Sequence, residues 1–416
     1  MTTEASLARL VHRDWLTHGP LNERITLYIE ALQARCYADG TIGAYLRCLA
    51  HFSHWLKGEE LTASSVDQAL VEWFLRYHLP VCACSAPRRS CVPEMRAALH
   101  HLLAVLPGPE DYSAPMDSIA SELNHFRNYL RDTCGLAPAT CFYRTRHVSA
   151  FLTSRFGRDA VCIERLTAAD MDIFFHSLAA RWKPVSLHVI CTSLRSYLRY
   201  RAMLGDDTRI LSETLPRIAN WGRRQPPKVL SDIEVDRFLH AFDRTNPVGL
   251  RDYAIARCLV DLGLRGNEVT HLTLDALNWR SGIVTLTRTK SQRVQPLPLP
   301  MQTGNALAQY LRFGRPRTDR REVFVRHRAP FGVPLGTAAI RNAMNRAFVR
   351  SGLADRFCNT HVLRRSMATR LQKSGVPLKE MADVLRHRDL NTVRVYAHVD
   401  LERLRTVALS WPGSKS

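Results

Sequence analysis

Six side chains in the C-terminal half of the chain have the types and spacing to do chemistry together. His361 and Arg364 are three positions apart, so a helix presents them on one face. His387 follows, and Tyr396 lies nine positions beyond it, giving the ordered set H-x-x-R … H-x8-Y. Arg265 stands upstream in Leu264-Arg265-Gly266-Asn267-Glu268, and Lys290 in Thr289-Lys290-Ser291. Each of these residues alone reads as basic surface, but the ordered set is hard to obtain by chance. Two arginines offer rigid donor forks suited to the non-bridging oxygens of a phosphodiester and to the charge that builds in a pentacoordinate transition state. Tyr396 is a candidate nucleophile on phosphorus. A phenol with a pKa of ~10 needs a base, for which His361 is placed, and a positive field. Lys290 can protonate a departing sugar oxygen, and His387 can hydrogen-bond the phosphate. No acidic cluster with metal-ligand spacing accompanies the six, and there is no P-loop or G-x-G-x-x-G. Metal-free chemistry without a nucleotide cofactor is expected.

The elements that must position them are readable. Ser231-Asp232-Ile233-Glu234 is an S-x-x-E capping box that opens a new domain after turn and linker material in 205–230. Tyr253–Leu262 predicts an apolar helix ending at Gly263. The next helix begins with Arg265 at its N-terminal edge, where anions are favoured. Residues 283–287 and 294–297 predict two strands with Lys290 at the tip of their hairpin. Val323-Phe324-Val325 predicts a further short strand, Ile340–Val349 a helix, and His361 onward a helix with Leu363, Met367 and Leu371 on its apolar stripe. A last helix follows Pro377, with Met381, Val384 and Leu385 facing the core.

The whole chain has 416 residues, enough for two or three domains, and its hydrophobic fraction of 46% supports a real core. Lys plus Arg total 58 against 38 acids, a formal charge of +20. The sequence pI near 9.9 is the footprint of a nucleic-acid binder. No apolar run approaches a membrane span, and Met1–Leu16 has no signal-peptide core, so a cytoplasmic protein without a membrane partner is expected. The eleven cysteines are odd in number and scattered, which reads as reduced thiols.

The N-terminal half predicts two sets of helices that resemble one another. In the first, Thr41 is positioned to cap a helix carrying Ile42, Leu46, Leu49, Phe52 and Trp55; further helices carry Val66, Leu70 and Trp73, and run from about Pro93 to Leu106. In the second, Thr167 and Asp170 make a capping-box start. Leu61-Thr62-Ala63 aligns with Leu166-Thr167-Ala168 at an offset of 105, and Ala98-Leu99 with Ser193-Leu194 at an offset of 95. This suggests an internal duplication. Between the copies, His78, Cys82, Cys84 and Cys91 form H-x3-C-x-C-x6-C, four possible zinc ligands in a spacing that matches no common zinc module. Free loop thiols are the simpler expectation.

The boxes around Arg265, Lys290, His361–Arg364, Leu385-Arg386-His387 and Thr392–His398 resemble those of the tyrosine recombinase, or phage integrase, family. The resemblance covers roughly residues 118–400. It departs at Arg386, where the family usually has Gly, and at Ser366, where it often has Thr. It implies a mainly α fold with a small antiparallel sheet in the catalytic domain, joined to a helical, SAM-like core-binding domain. The expected organisation is an extra helical domain at 1–112, a core-binding domain at 113–215, a linker at 216–228 and a catalytic domain at 229–416. The resemblance further implies a clamp on double-stranded DNA, cleavage through a 3′-phosphotyrosine, and a homo-tetramer on two DNA sites, with related recombinases as a candidate further partner. Leu404, Val407 and Trp411 have the spacing of an exchanged C-terminal helix. The N-terminal extension suggests a mobile-element integrase or transposase. The competing readings are a type IB topoisomerase, which does not exchange partners, and a DNA-binding protein that has lost catalysis.

Overall fold

The computed structural model describes residues 13–79, 82–85, 91–106, 118–157, 159–179, 182–218, 228–287 and 294–386. Lys290, His387, Tyr396 and the C-terminal segment with Leu404, Val407 and Trp411 lie outside them. The fold is mainly helical with one small antiparallel sheet, as the sequence predicts. The chain divides into two compact units, Asp111–Gln225 on one side and Met1–Glu110 with Pro226–Ser416 on the other.

The N-terminal stretch holds α1 (Arg13–Thr17), α2 (Ile25–Ala34), α3 (Asp39–Gly58), α4 (Gln68–Trp73, continued as a π turn to His78) and α5 (Val92–Leu103). Their apolar stripes form one core around Leu46, Leu49, Phe52, Phe74 and Leu99. Thr41 is not the cap of α3. The extended residue is Ala38, which makes no side-chain cap, and Thr41 already lies in the first turn. The second unit holds α6 (Ser118–Asn128, then a π turn to Thr133), α7 (Pro138–Phe156), α8 (Ala168–Ala179), α9 (Pro184–Met203) and α10 (Arg209–Thr214), with its own core. Here the Thr167–Asp170 capping exchange is present, at 2.8 and 3.3 Å.

The two sets follow the same element order, but one of the two sequence alignments is out of register. Asp67 caps α4, accepting from the Leu70 amide at 2.7 Å, and Thr167 caps α8. Thr167 therefore corresponds to Asp67, not to Thr62, and the offset at this point is 100. Burial on α3 and α7 pairs Ile42 with Cys141, Leu46 with Thr145, Leu49 with Val148 and Phe52 with Phe151. Burial on α5 and α9 pairs Met95 with Ile190, Leu99 with Leu194 and Leu102 with Tyr197, which keeps the offset of 95. The offset falls because the connection after His78 is longer than its counterpart, and that longer connection carries Cys82 and Cys84.

Residues from 228 onward build a third core. Ser231 accepts from the Glu234 amide and Glu234 from the Ser231 amide, at 3.3 and 2.9 Å, fixing the start of α11 (Asp232–His240). Pro at the first turn and an Asn246 cap start α12 (Pro247–Asp261) earlier than its apolar run suggests. From Arg251 to Val260 α12 is buried at every residue but Tyr253, and it packs against α14 (Met301–Gln309, then a π turn to Gly314), α15 (Thr337–Arg350) and α16 (His361–Lys373). Its charged residues are paired in place, Arg251 with Asp252 and Arg257 with Asp261. Between α12 and α14 come α13 (Gly266–Thr270) and the sheet of β1 (Leu277–Asn278), β2 (Ile283–Leu286) and β3 (Gln295–Pro298), in that order. Val284 faces Leu297 across the hairpin and Leu277 on its other edge, so alternate residues enter the core. The last described helix is α17 (Leu378–Val384).

Val323-Phe324-Val325 is not a strand. All three are fully buried, but only isolated bridges form, Thr273 with Glu322 and Val325 with Pro334. The guanidinium of Arg315 takes the carbonyls of Arg320, Glu322 and Val323, which a neighbouring strand would otherwise use. Among the described residues no helix is long and apolar enough to cross a membrane.

Candidate active site

Gly263 ends α12 with φ +54°, and a Cβ there would stand 2.5 Å from the Met367 sulfur. Only glycine fits both constraints. The sharp exit aims Arg265 back over the start of α13, at whose N-terminal edge the sequence places it and where it is the N-cap residue. Its amide donates to Glu268 Oε2 at 2.8 Å and its guanidinium to Glu268 Oε1 at 2.7 Å. A second guanidinium nitrogen donates to the carbonyl of Arg386 at 3.2 Å.

Arg364 projects from the first turn of α16 into the interior and is 1% exposed. Its two terminal nitrogens donate to the carbonyls of Gly263 and Leu385. The two arginines thus converge on consecutive carbonyls, those of Leu385 and Arg386, at the residues that lead directly into His387. Ser366, the mild departure from the family pattern, is buried on the same helix. Its hydroxyl donates to Val362 and accepts from the Leu230 amide at 2.8 Å, tying the domain's entry to the arginine helix.

His361 opens α16. Asn359 Oδ1 accepts from the amides of His361 and Val362 at 3.0 and 3.2 Å, capping the helix in place of Thr360. Partial burial of the imidazole, then the positive charges of Arg365, Arg364 and Arg265, lower its pKa below the ordinary histidine value. The neutral form, which a base needs, is favoured.

Arg386 is the residue whose importance the sequence hides. It follows α17 in the left-handed region, φ +54°, where glycine is the usual occupant. Its side chain is buried and donates to Glu268 Oε2 and to the Gly263 carbonyl, both at 3.0 Å. Its Nε has no partner among the described residues. Burial opposes ionisation of Glu268, but Arg386, the Arg265 amide and the Arg265 guanidinium outweigh it and hold the carboxyl below its usual range. Glu268 therefore couples Arg265 to Arg386. The only sequence signal for it is the i, i+3 spacing from Arg265. The structure brings together Arg265, His361 and Arg364; of the six expected residues, the other three lie outside the described residues.

Two arginines and a histidine gathered at one point of a mainly helical fold with a small antiparallel sheet match the class that the sequence resembles, and the comparisons with known proteins agree. The profile described as Phage integrase family matches residues 228–403. A Sinorhizobium fredii protein named integrase/recombinase y4rA is 33% identical over 403 residues, covering 95% of each chain. Tyrosine recombinase XerD of Listeria innocua is 30% identical over 295 residues, 68% of this chain and 96% of its own. Among solved structures, the XerH site-specific recombinase on a palindromic difH substrate, in its post-cleavage complex, superposes with a TM-score of 0.53 at 19% identity, over 82% of this chain and 94% of the other. The chain belongs to the phage integrase family of tyrosine recombinases, and it is a site-specific recombinase.

Proposed function

We propose that the protein cuts and rejoins duplex DNA through a 3′-phosphotyrosyl intermediate, with Tyr396 as nucleophile, and that it does so as a tetramer serving a mobile element. In this reading His361 takes the phenol proton, Arg265 and Arg364 stabilise the phosphorane, His387 hydrogen-bonds it and Lys290 protonates the leaving 5′-oxygen. The covalent bond conserves the energy of the broken ester, so no external energy source is required. The observation that carries the reading is the convergence of both arginines on the carbonyls of Leu385 and Arg386, with His361 one helical turn before Arg364. The two arginines hold the two residues that precede His387 in the sequence, and Tyr396 is nine positions beyond it. The XerH complex and the integrase name of y4rA support duplex DNA as substrate and integration as the role.

A nicked suicide substrate tests the chemistry. Wild type should leave a covalent protein–DNA adduct on a denaturing gel. Tyr396→Phe, which removes one oxygen, should bind DNA equally and form none. An adduct that persists in Tyr396→Phe overturns the assignment.

A further inference from the structure

Outside the catalytic centre, the core of α2–α5 contains a cluster that packing alone does not explain. His51 lies at the middle of α3 and is 1% exposed, a polar residue inside an apolar stripe. His78 is the last residue of the π turn after α4, and Cys82 and Cys84 lie on the connection beyond it. His51 Nε2 is 3.1 Å from Cys82 Sγ, and His78 Nε2 is 3.6 Å from Cys84 Sγ. The four ligand atoms all lie within 4.8 Å of one another. Around a tetrahedral zinc, with Zn–S of ~2.3 Å and Zn–N of ~2.0 Å, neighbouring ligand atoms stand roughly 3.3–3.8 Å apart. The cluster is already close to that size.

We propose that His51, His78, Cys82 and Cys84 bind a single structural zinc ion. The ligand set differs from the one the sequence spacing suggests. Cys91 is not in the group, and His51, which no local spacing connects to the cysteines, completes it. Two thiolates and two neutral imidazoles balance the charge of Zn²⁺, and both thiol protons pass to solvent as the ion binds. The ligands are held from behind. The His51 ring meets Phe74 edge-on at 5.6 Å, and His78 stacks on Phe74 at 5.1 Å and leans on Trp55 at 5.7 Å.

The parallel set of helices lacks every one of these ligands. Ala150 stands where α3 has His51, Leu178 stands where His78 is, and the short connection between α8 and α9 has no cysteine. The zinc site belongs to the longer connection after His78 and closes it onto α3. Its role is to fasten that connection, and it lies apart from the phosphoryl-transfer residues.

The test uses the full-length chain. Wild type purified from zinc-supplemented medium should retain one zinc per chain by atomic emission. Replacement of zinc by Co²⁺ should give the intense visible bands and thiolate charge transfer of a tetrahedral site. Cys82→Ser and Cys84→Ser should lose both signals, and Cys91→Ser should keep them. His78→Phe, which preserves stacking on Phe74, should release the metal, and His78→Cys, which exchanges one zinc ligand for another, should retain it. The proposal is overturned if metal-free wild type gives Co²⁺ only the weak absorption of octahedral coordination. It is overturned equally if Cys91→Ser loses the metal while Cys82→Ser keeps it. The cobalt result on wild type decides the matter even where a variant fails to fold.

Discussion

Arg386 carries two separate costs, a left-handed backbone and a buried guanidinium, and Glu268 offsets the second. Removing one partner of such a buried pair typically costs about 3–5 kcal/mol, because the other charge is left stranded. Glu268→Gln should therefore lower stability in urea unfolding by that order, and it should also loosen Arg265 and reduce cleavage. Arg386→Gly should be more stable than Arg386→Ala by about 1 kcal/mol, since only the alanine keeps a Cβ at positive φ. Equal stability of the two would mean that the turn relaxes out of the left-handed region. At His361 the expectation concerns pH. Its pKa is lowered, so the neutral base persists to lower pH than in a free histidine. The acidic limb of kcat/KM for cleavage, which reports the free enzyme, should fall below the usual histidine value near 6.5. A limb above that value counts against His361 as the base.

At the scale of elements, what the sequence makes legible is what is decided locally. The Ser231 capping box, the hairpin of β2 and β3, and the placement of Arg265 at the start of α13 rest on residues a few positions apart. Val323–Val325 reads as a strand because its residues are right for one, yet the side chain of Arg315, eight positions upstream of Val323, claims the carbonyls of Val323 and of two residues before it. The role of Arg386 is invisible for the same reason, since its partner Glu268 lies 118 positions away. The repeat is misaligned at Leu61 because Leu-Thr-Ala is a cap-like triplet in both copies, and only the observed Asp67 cap fixes the register. Ser366 is a further case of a distant partner. Ser366→Ala removes the acceptor of the buried Leu230 amide and should cost about 1–3 kcal/mol in urea unfolding, with the catalytic side chains untouched. A change below about 0.5 kcal/mol would show that the amide finds another acceptor.

For the whole molecule, the question is what residues 1–110 add. Their buried core is separate from that of residues 230–363, although both belong to one compact unit. If this stretch contributes phosphate contacts along the duplex, each contact makes log K fall by ~0.9 per decade of salt. A chain beginning near Asp111 should then bind a long DNA site more weakly and with a shallower salt slope, and should still cleave a nicked site. A retained slope with lost higher-order complexes would assign the stretch to protein contacts instead.

The long-range bonds at the centre also set an order of events during synthesis. Gly263, Arg265 and Glu268 leave the ribosome together, and the Arg265–Glu268 pair, three residues apart, can close at once. The Gly263 carbonyl must wait 101 residues for Arg364, and Glu268 must wait 118 for Arg386. At about 5–20 residues per second, that delay is on the order of 10 s. Through that interval the emerging chain carries Arg265 and Glu268 without Arg364 or Arg386. The arginine that completes the buried pair is made one residue before His387 and ten before Tyr396, so until then Glu268 has only Arg265 to pair with.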